Sequence, residues 1–319
     1  MKLPEPRGEL SAAVVDLLAG TSKVLPEVDH DPYGEDLQLA LHTAYELHYR
    51  GFHKVDPEWE WDPDLLRTRR EMERLFLKAL KEDVPGGADI DEVLAQLLVE
   101  PVDGGGISHF LKDQGEWWHV REYFVHRSIY HHKEADPHIW VVPRLQGRAK
   151  AALVAVEFDE FGGGRAERLH SQLYVDLLAG AGLETGYLHY LNEVPAQMLA
   201  VVNLMSMFGL HRALRGALVG HFAAAEITTA PSSQRMVKAL SRFDADEACV
   251  HFYTEHMEAD AVHEQVMRRD VIGDLLDREP ELTESVVFGV QATELLEGRF
   301  GERVLSSWRD GRSSLHRRT

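Results

Sequence analysis

Apolar residues recur along this chain at helical rather than alternating spacing, and they predict a succession of helices. In the first third, Ser11 to Leu18 is an apolar run, and Asp36 to Tyr49 (DLQLALHTAYELHY) repeats its leucines and alanines every three or four positions. Asp62-Pro63-Asp64 starts a charge-rich segment running to about Leu80, and Pro85-Gly86-Gly87 ends it. A short helix is expected over Asp89 to Val99, closed by Asp103-Gly104-Gly105-Gly106. The later segments are longer: Glu116 to His132, Gln146 to Leu178 with a Gly162-Gly163-Gly164 interruption, Tyr187 to Phe208, Leu210 to Thr229, Ser232 to Leu240, Ala245 to Arg269 and Glu281 to Phe300. Asp136-Pro137 and Pro143 frame an extended link between the first two of these. No segment shows strand alternation, so the fold class is all-α. The expected organisation is an N-terminal helical region over 1–107 and a principal bundle over 108–319.

Composition narrows the chemistry. With 53 acidic against 34 basic residues the formal charge is −19, which argues against a nucleic-acid or anionic-membrane surface. Nor does any apolar run reach the length of a membrane span, and MKLPEPRGEL lacks the basic-then-apolar layout of a signal peptide, so a soluble, cytoplasmic protein is expected. Cys249 is the sole cysteine, which excludes a disulfide framework, a thiolate zinc site and a protein-ligated iron–sulfur cluster within one chain. Any metal must therefore be held by nitrogen and oxygen, and the 18 histidines suit iron, manganese or zinc.

The densest local signal is HFYTEHMEADAVHEQ. At about 100° per residue, His256, Asp260 and His263 fall within roughly 60° of one another on a helix, as three metal ligands or as a polar stripe facing solvent. Upstream, RAERLH places Glu167 and His170 three apart, the pairing used in carboxylate-bridged di-iron bundles, although Glu27/His30 and Glu116/His119 share that spacing. Glu226 is the only carboxylate between Arg215 and Arg235, among small and apolar neighbours (HFAAAEITTA), and needs a partner: a metal, a core ion pair or a hydrogen bond to Thr229. Glu134 stands just before a proline-framed break in HHKEADPHIWVVPRL, as a ligand or a helix-end acid. Glu157, Asp159 and Glu160 precede the three glycines, whose presence in a helical pattern is costly unless the backbone bends there.

Taken together, EADPHIWVVPRL, EFDEFGGG running into ERLH, the isolated Glu226 and HMEADAVH resemble the iron-containing redox enzymes of the haem-oxygenase-like di-iron oxidase and oxygenase superfamily, over about Glu134 to His263. The resemblance implies a haem-oxygenase-like helical bundle with an N-terminal helical extension. Its core ligands would be Glu134, Glu167, His170, Glu226, His256 and Asp260, with Glu160 and His263 as the extra ligands of the N-oxygenating branch. Glu134, Glu167 and His170 would serve one side of the metal pair and Glu226, His256 and Asp260 the other. The implied cofactors are two iron ions (Fe2+/Fe3+) with dioxygen as co-substrate, and ligand type leaves manganese open in one site. Tyr253, Tyr123, Arg121 and His251 are candidates for positioning a substrate, or ordinary packing and surface residues.

The function so implied is that of a non-haem di-iron oxygenase, an oxidoreductase acting on a small-molecule substrate by N-oxygenation of an amine or amino-acid-like compound. Alternatives are oxidative C–C or C–N cleavage or desaturation of an amino acid or fatty acid and, in another class, a non-catalytic iron-binding or storage protein. An external electron donor would be needed for repeated turnover, and the family likeness implies a homodimer. The tail RDGRSSLHRRT is basic, polar and expected to be mobile.

Overall fold

The computed structural model describes residues 1–99 and 104–316, except for the side chains of 258–261; Asp103 of the expected glycine-rich break and the side chain of Asp260 lie outside the described residues. The molecule is all-α, with no strand among the described residues. Helices α1 (Glu9–Leu18), α2 (Glu35–Glu46), α3 (Pro63–Asp83) and α4 (Ile90–Leu97) follow the predicted order. Side-chain caps set two of the starts. The Asp62 carboxylate accepts from the amides of Asp64 and Leu65 ahead of Pro63, and Asp89 accepts from Glu92. A short helix that the pattern did not reveal, α5 (Ile107–Asp113), precedes α6 (Trp117–His131).

Beyond α6 come the single turn α7 (Asp136–Ile139), α8 (Gly147–Glu160), α9 (His170–Gly180), α10 (Ala196–Leu210), α11 (Arg215–Arg242), α12 (Glu247–Gln265), α13 (Gly273–Arg278) and α14 (Thr283–Arg309). The expected helix from Tyr187 begins only at Ala196, because Pro195 cannot donate within a helix and serves as its N-cap. Conversely, the break expected at Pro231 is absent and α11 runs through it for 28 residues. The helix is held on its flanks by α12 and α14, and hydroxyls of Thr228, Thr229 and Ser232 donate to carbonyls of Ala224, Ala225 and Thr229 around the proline. Between α12 and α13, Val266–Ile272 widens to a π-helical turn, a feature often found beside functional sites.

Helix α11 is the central element, packed between α12 and α14, while α9 lies on α12, α8 on the π-helical turn, and α10 against α2 and α14. One buried apolar core runs from Leu10 and Val14 through Leu204 and Phe222 to Val304 and Trp308. The C-terminal segment is tied down as far as His316 rather than loose. Trp308 Nε1, the Ser313 hydroxyl and the Ser314 amide all donate to the Glu122 carboxylate at 2.6–2.8 Å. A carboxylate that accepts this many bonds in a buried place anchors the segment firmly.

The contact of α11 with α14 depends on glycine. A Cβ on Gly289 would lie 2.0 Å from the Ala217 carbonyl oxygen, and one on Gly220 would lie 2.1 Å from that of Val286. Gly289→Ala is therefore expected to destabilise the protein by about 1–3 kcal/mol through overpacking. Gly298→Ala, on the same helix with nothing within 4 Å, should be neutral or slightly stabilising. Urea unfolding of the two variants checks the contrast.

Candidate metal centre

Five elements bring six titratable side chains to the middle of the bundle. Glu134 follows the end of α6, Glu160 is the last residue of α8, His170 the first of α9, Glu226 lies mid-way along α11, and His256 and His263 lie on α12. They form two groups, Glu134–His170–His256 and Glu160–Glu226–His263, within each of which one donor atom per residue lies within 4.8 Å of the others. The groups adjoin, since His170 Nδ1 and Glu160 Oε2 are 2.8 Å apart. All but Glu134, which is half-buried, are buried.

The glycine turn produces this convergence. Gly162, Gly163 and Gly164 all adopt positive φ (68°, 63° and 78°), which reverses the chain between α8 and α9, and a Cβ on Gly162 would lie 2.5 Å from the Arg168 carbonyl carbon. The reversal brings residue 160 against residue 170 and leaves Glu167 exposed on the connecting 3₁₀ turn. Glu160, not Glu167, thus stands with His170; the three-residue spacing in ERLH would act as a paired motif only on an unbroken helix. His256 sits with Glu134 and His170 instead of with Glu226, and the side of Glu226 is completed by His263. Asp260 lies in α12 between the two histidines.

Contacts behind these residues hold them. His256 Nδ1–H donates to the Phe252 carbonyl at 2.7 Å, which orients the ring with Nε2 3.8 Å from Glu134 Oε1. Glu134 Oε2 is 2.8 Å from His131 Nδ1, and His263 is 2.9 Å from Glu226 and 3.1 Å from Asp159. Burial by itself would raise the Glu134 pKa, but His131 and then His256 hold it well below the usual carboxylate range. Glu157, one turn before Glu160, has both oxygens buried without a hydrogen-bond partner among the described residues. Burial, and after it Glu160 and Glu226, push its carboxyl up to about 9, so it is protonated at neutral pH.

A cavity of about 800 Å³ opens onto Glu134, Glu160, Glu226 and His256. Of the residues proposed from sequence to position substrate, Tyr123 and Tyr253 line it. Arg121 instead donates to the Gly182 carbonyl, and the His251 side chain is half exposed on the far side of α12, so neither takes part. Sequence reading missed His131 and Asp159 as supports, together with the wall residues Arg127, His138, His221 and Glu297. The adjacency of His131 and Glu134 in HHKEADPH was the one visible hint.

The donor set is nitrogen and oxygen only, rich in carboxylate, enclosed and oriented, which fits one or two divalent ions of the iron or manganese type. Comparison with known proteins agrees. A model of the iron-containing redox enzyme family matches residues 121–298. The chain is also 24% identical over 187 residues to the nitrosourea synthase of Streptomyces achromogenes subsp. streptozoticus, an alignment covering 57% of this chain and 39% of that protein, so it spans about two fifths of the relative's length. The matched span contains all six converging residues and more than half of the chain, and on these grounds the protein belongs to the family of iron-containing redox enzymes.

Proposed function

We propose that the two groups each hold one iron ion and that the protein is a non-haem di-iron oxygenase oxidising a small polar molecule, by N-oxygenation of an amine or amino-acid-like compound. The observation that carries this reading is the pair of adjoining three-donor groups at the head of one cavity. Glu134, His170 and His256 would hold one ion and Glu160, Glu226 and His263 the other. Three carboxylates and three neutral imidazoles leave one positive charge on two divalent ions, and Asp260, assigned by the resemblance, would supply the fourth anion. When bound, the iron pair supplies redox reactivity toward dioxygen, with electrons from an external donor.

The chain's own residues have separate tasks in this scheme. His131 and Asp159 fix the orientation of Glu134 and His263, while Phe222, Phe252 and Tyr130 wall the cavity and keep bulk water from the reacting end. The far walls argue against a long aliphatic substrate. Arg127 and Glu297 form a bidentate pair at 2.6 and 2.8 Å on the cavity lining, alongside Arg235, Glu302 and several hydroxyls. A fatty-acid chain would lay apolar surface against this charged and hydroxylated lining, whereas a polar amine can hydrogen-bond to it.

Anaerobic ferrous titration followed by mixing with oxygenated buffer tests the reading, with Glu226→Ala as the comparison. Two irons per chain, sustained oxygen uptake in the presence of amines and a reductant, and loss of both in the variant are expected. Fewer than two irons, or a variant that behaves like the wild type, would sink the di-iron assignment. Oxygen consumed only once per loading would favour iron storage instead.

A further inference from the structure

Two buried histidines line the same cavity outside the six converging residues. His138, on α7, is 2% exposed and stacks on Phe222 with ring centroids 4.2 Å apart; His221, on α11, is 1% exposed and lies 5.2 Å from His138, centroid to centroid. Both ring nitrogens of His138 and Nε2 of His221 have no hydrogen-bond partner among the described residues. Buried polar atoms left in this way are uncommon, and here they border a cavity.

The hydrogen bonds on α14 decide what His221 offers. The Thr293 hydroxyl donates its single proton to the Gly289 carbonyl at 2.7 Å, and the same oxygen lies 2.8 Å from His221 Nδ1. That oxygen must therefore accept from Nδ1–H. Burial keeps the ring neutral, its pKa lowered to about 4, so Nε2 carries a lone pair and no proton. What pairs with His221 from the cavity must bring an N–H or O–H. His138 is likewise held neutral, by burial first and then by His221, and offers one acceptor and one donor beside it.

We propose that His221, fixed by Thr293, and His138 form the subsite that receives a hydrogen-bond-donating nitrogen group on the side chain of an amino-acid-like substrate. The assignment of this subsite to substrate rests on the cavity being the reaction chamber of the oxygenase proposed above. A carboxylate has no donor for His221 Nε2 and an aliphatic end leaves both histidines unpaired, so both are selected against. An amide or an ammonium group meets the requirement.

Calorimetric titration of the anaerobic, ferrous-loaded protein with L-glutamine, L-ornithine, L-glutamate and L-norvaline tests this, since the four share a head group and differ in what the side chain donates. At least one of glutamine and ornithine should bind about 10-fold more tightly than glutamate and norvaline; which one does so tells a neutral donor from a cationic one. His221→Phe and the nearly isosteric Thr293→Val should each shrink that preference to less than about threefold while the iron count is unchanged. The subsite is overturned if none of the four binds, if glutamate or norvaline matches both donors, or if the preference survives in both variants. Iron content of the same samples keeps the two readings apart. Two irons without donor preference removes the subsite alone, and a donor preference with fewer than two irons removes the di-iron assignment alone.

Discussion

Lys133→Met is expected to destabilise the folded protein by about 3–5 kcal/mol and to weaken iron binding at the Glu134 side of the centre. Lys133 is fully buried, its ammonium 2.6 Å from Glu46 Oε2 and 4.1 Å from the centre of the Tyr49 ring. Glu46, on α2, is also fully buried and accepts from the Tyr187 hydroxyl at 3.3 Å. Removing the cation leaves a core carboxylate without its ion-pair partner, and that penalty, rather than the strength of the pair, sets the size of the effect. Because Lys133 directly precedes Glu134, the pair pins the ligand-bearing turn to the N-terminal helices. A double variant, Lys133→Met with Glu46→Leu, should recover most of the stability but not all of the iron affinity, because the turn loses its anchor. Urea unfolding with ferrous titration on all three proteins reads both quantities. If the single and double variants are equally unstable, or if iron binding follows stability alone, the strut has no role at the site.

That strut was written in the sequence in a form easy to pass over. Along the apolar α2, Gln38, His42 and Glu46 recur every fourth residue and so share one face, and all three are buried. A buried polar stripe on an apolar helix announces partners, but it does not name them. Gln38 meets Asn203 and Glu46 meets Lys133, 165 and 87 positions away in a chain whose folding alone joins them.

The fold class was legible because helical periodicity dominates every long segment. Local rules failed where tertiary packing outweighs them, at Pro231 within a clamped helix and over 187–194, where apolar residues pack into the core without being helical. The candidate site divides in the same way. Glu226 could be singled out because one carboxylate in an apolar helix is chemically conspicuous, and His256 and His263 because they share a stripe. Their distribution between the two groups could not be read, since it depends on which neighbouring helix faces which turn of α12. Glu160 and Glu167 were indistinguishable until the direction of the glycine turn was known.

Acid should unfold this protein well before its carboxylates titrate. Several histidines are buried neutral. Burial first, and cationic neighbours after it, depress His132 to about 4, while burial depresses His126 to about 3 and His221 to about 4. His42 and His138 are also lowered well below the usual value, chiefly by burial. For a histidine whose folded pKa lies below its unfolded value of about 6.5, the unfolded chain binds more protons on acidification. The stabilisation is complete above pH of about 6.5 and is lost as the pH falls toward the folded pKa. At pH 5, a histidine depressed to about 4 has cost on the order of 2 kcal/mol relative to pH 8, and three such groups approach the whole stability of an ordinary domain. Thermal unfolding of the metal-free protein should therefore show a midpoint falling steeply between pH 6.5 and 5. His132→Gln should flatten that fall, because the Leu188 amide, which donates to His132 Nδ1 at 3.1 Å, then has an acceptor that does not titrate. A midpoint constant down to pH 5 would show that these rings accept protons in the folded state, and with that the neutral pairing of His221 with Thr293 would also fail.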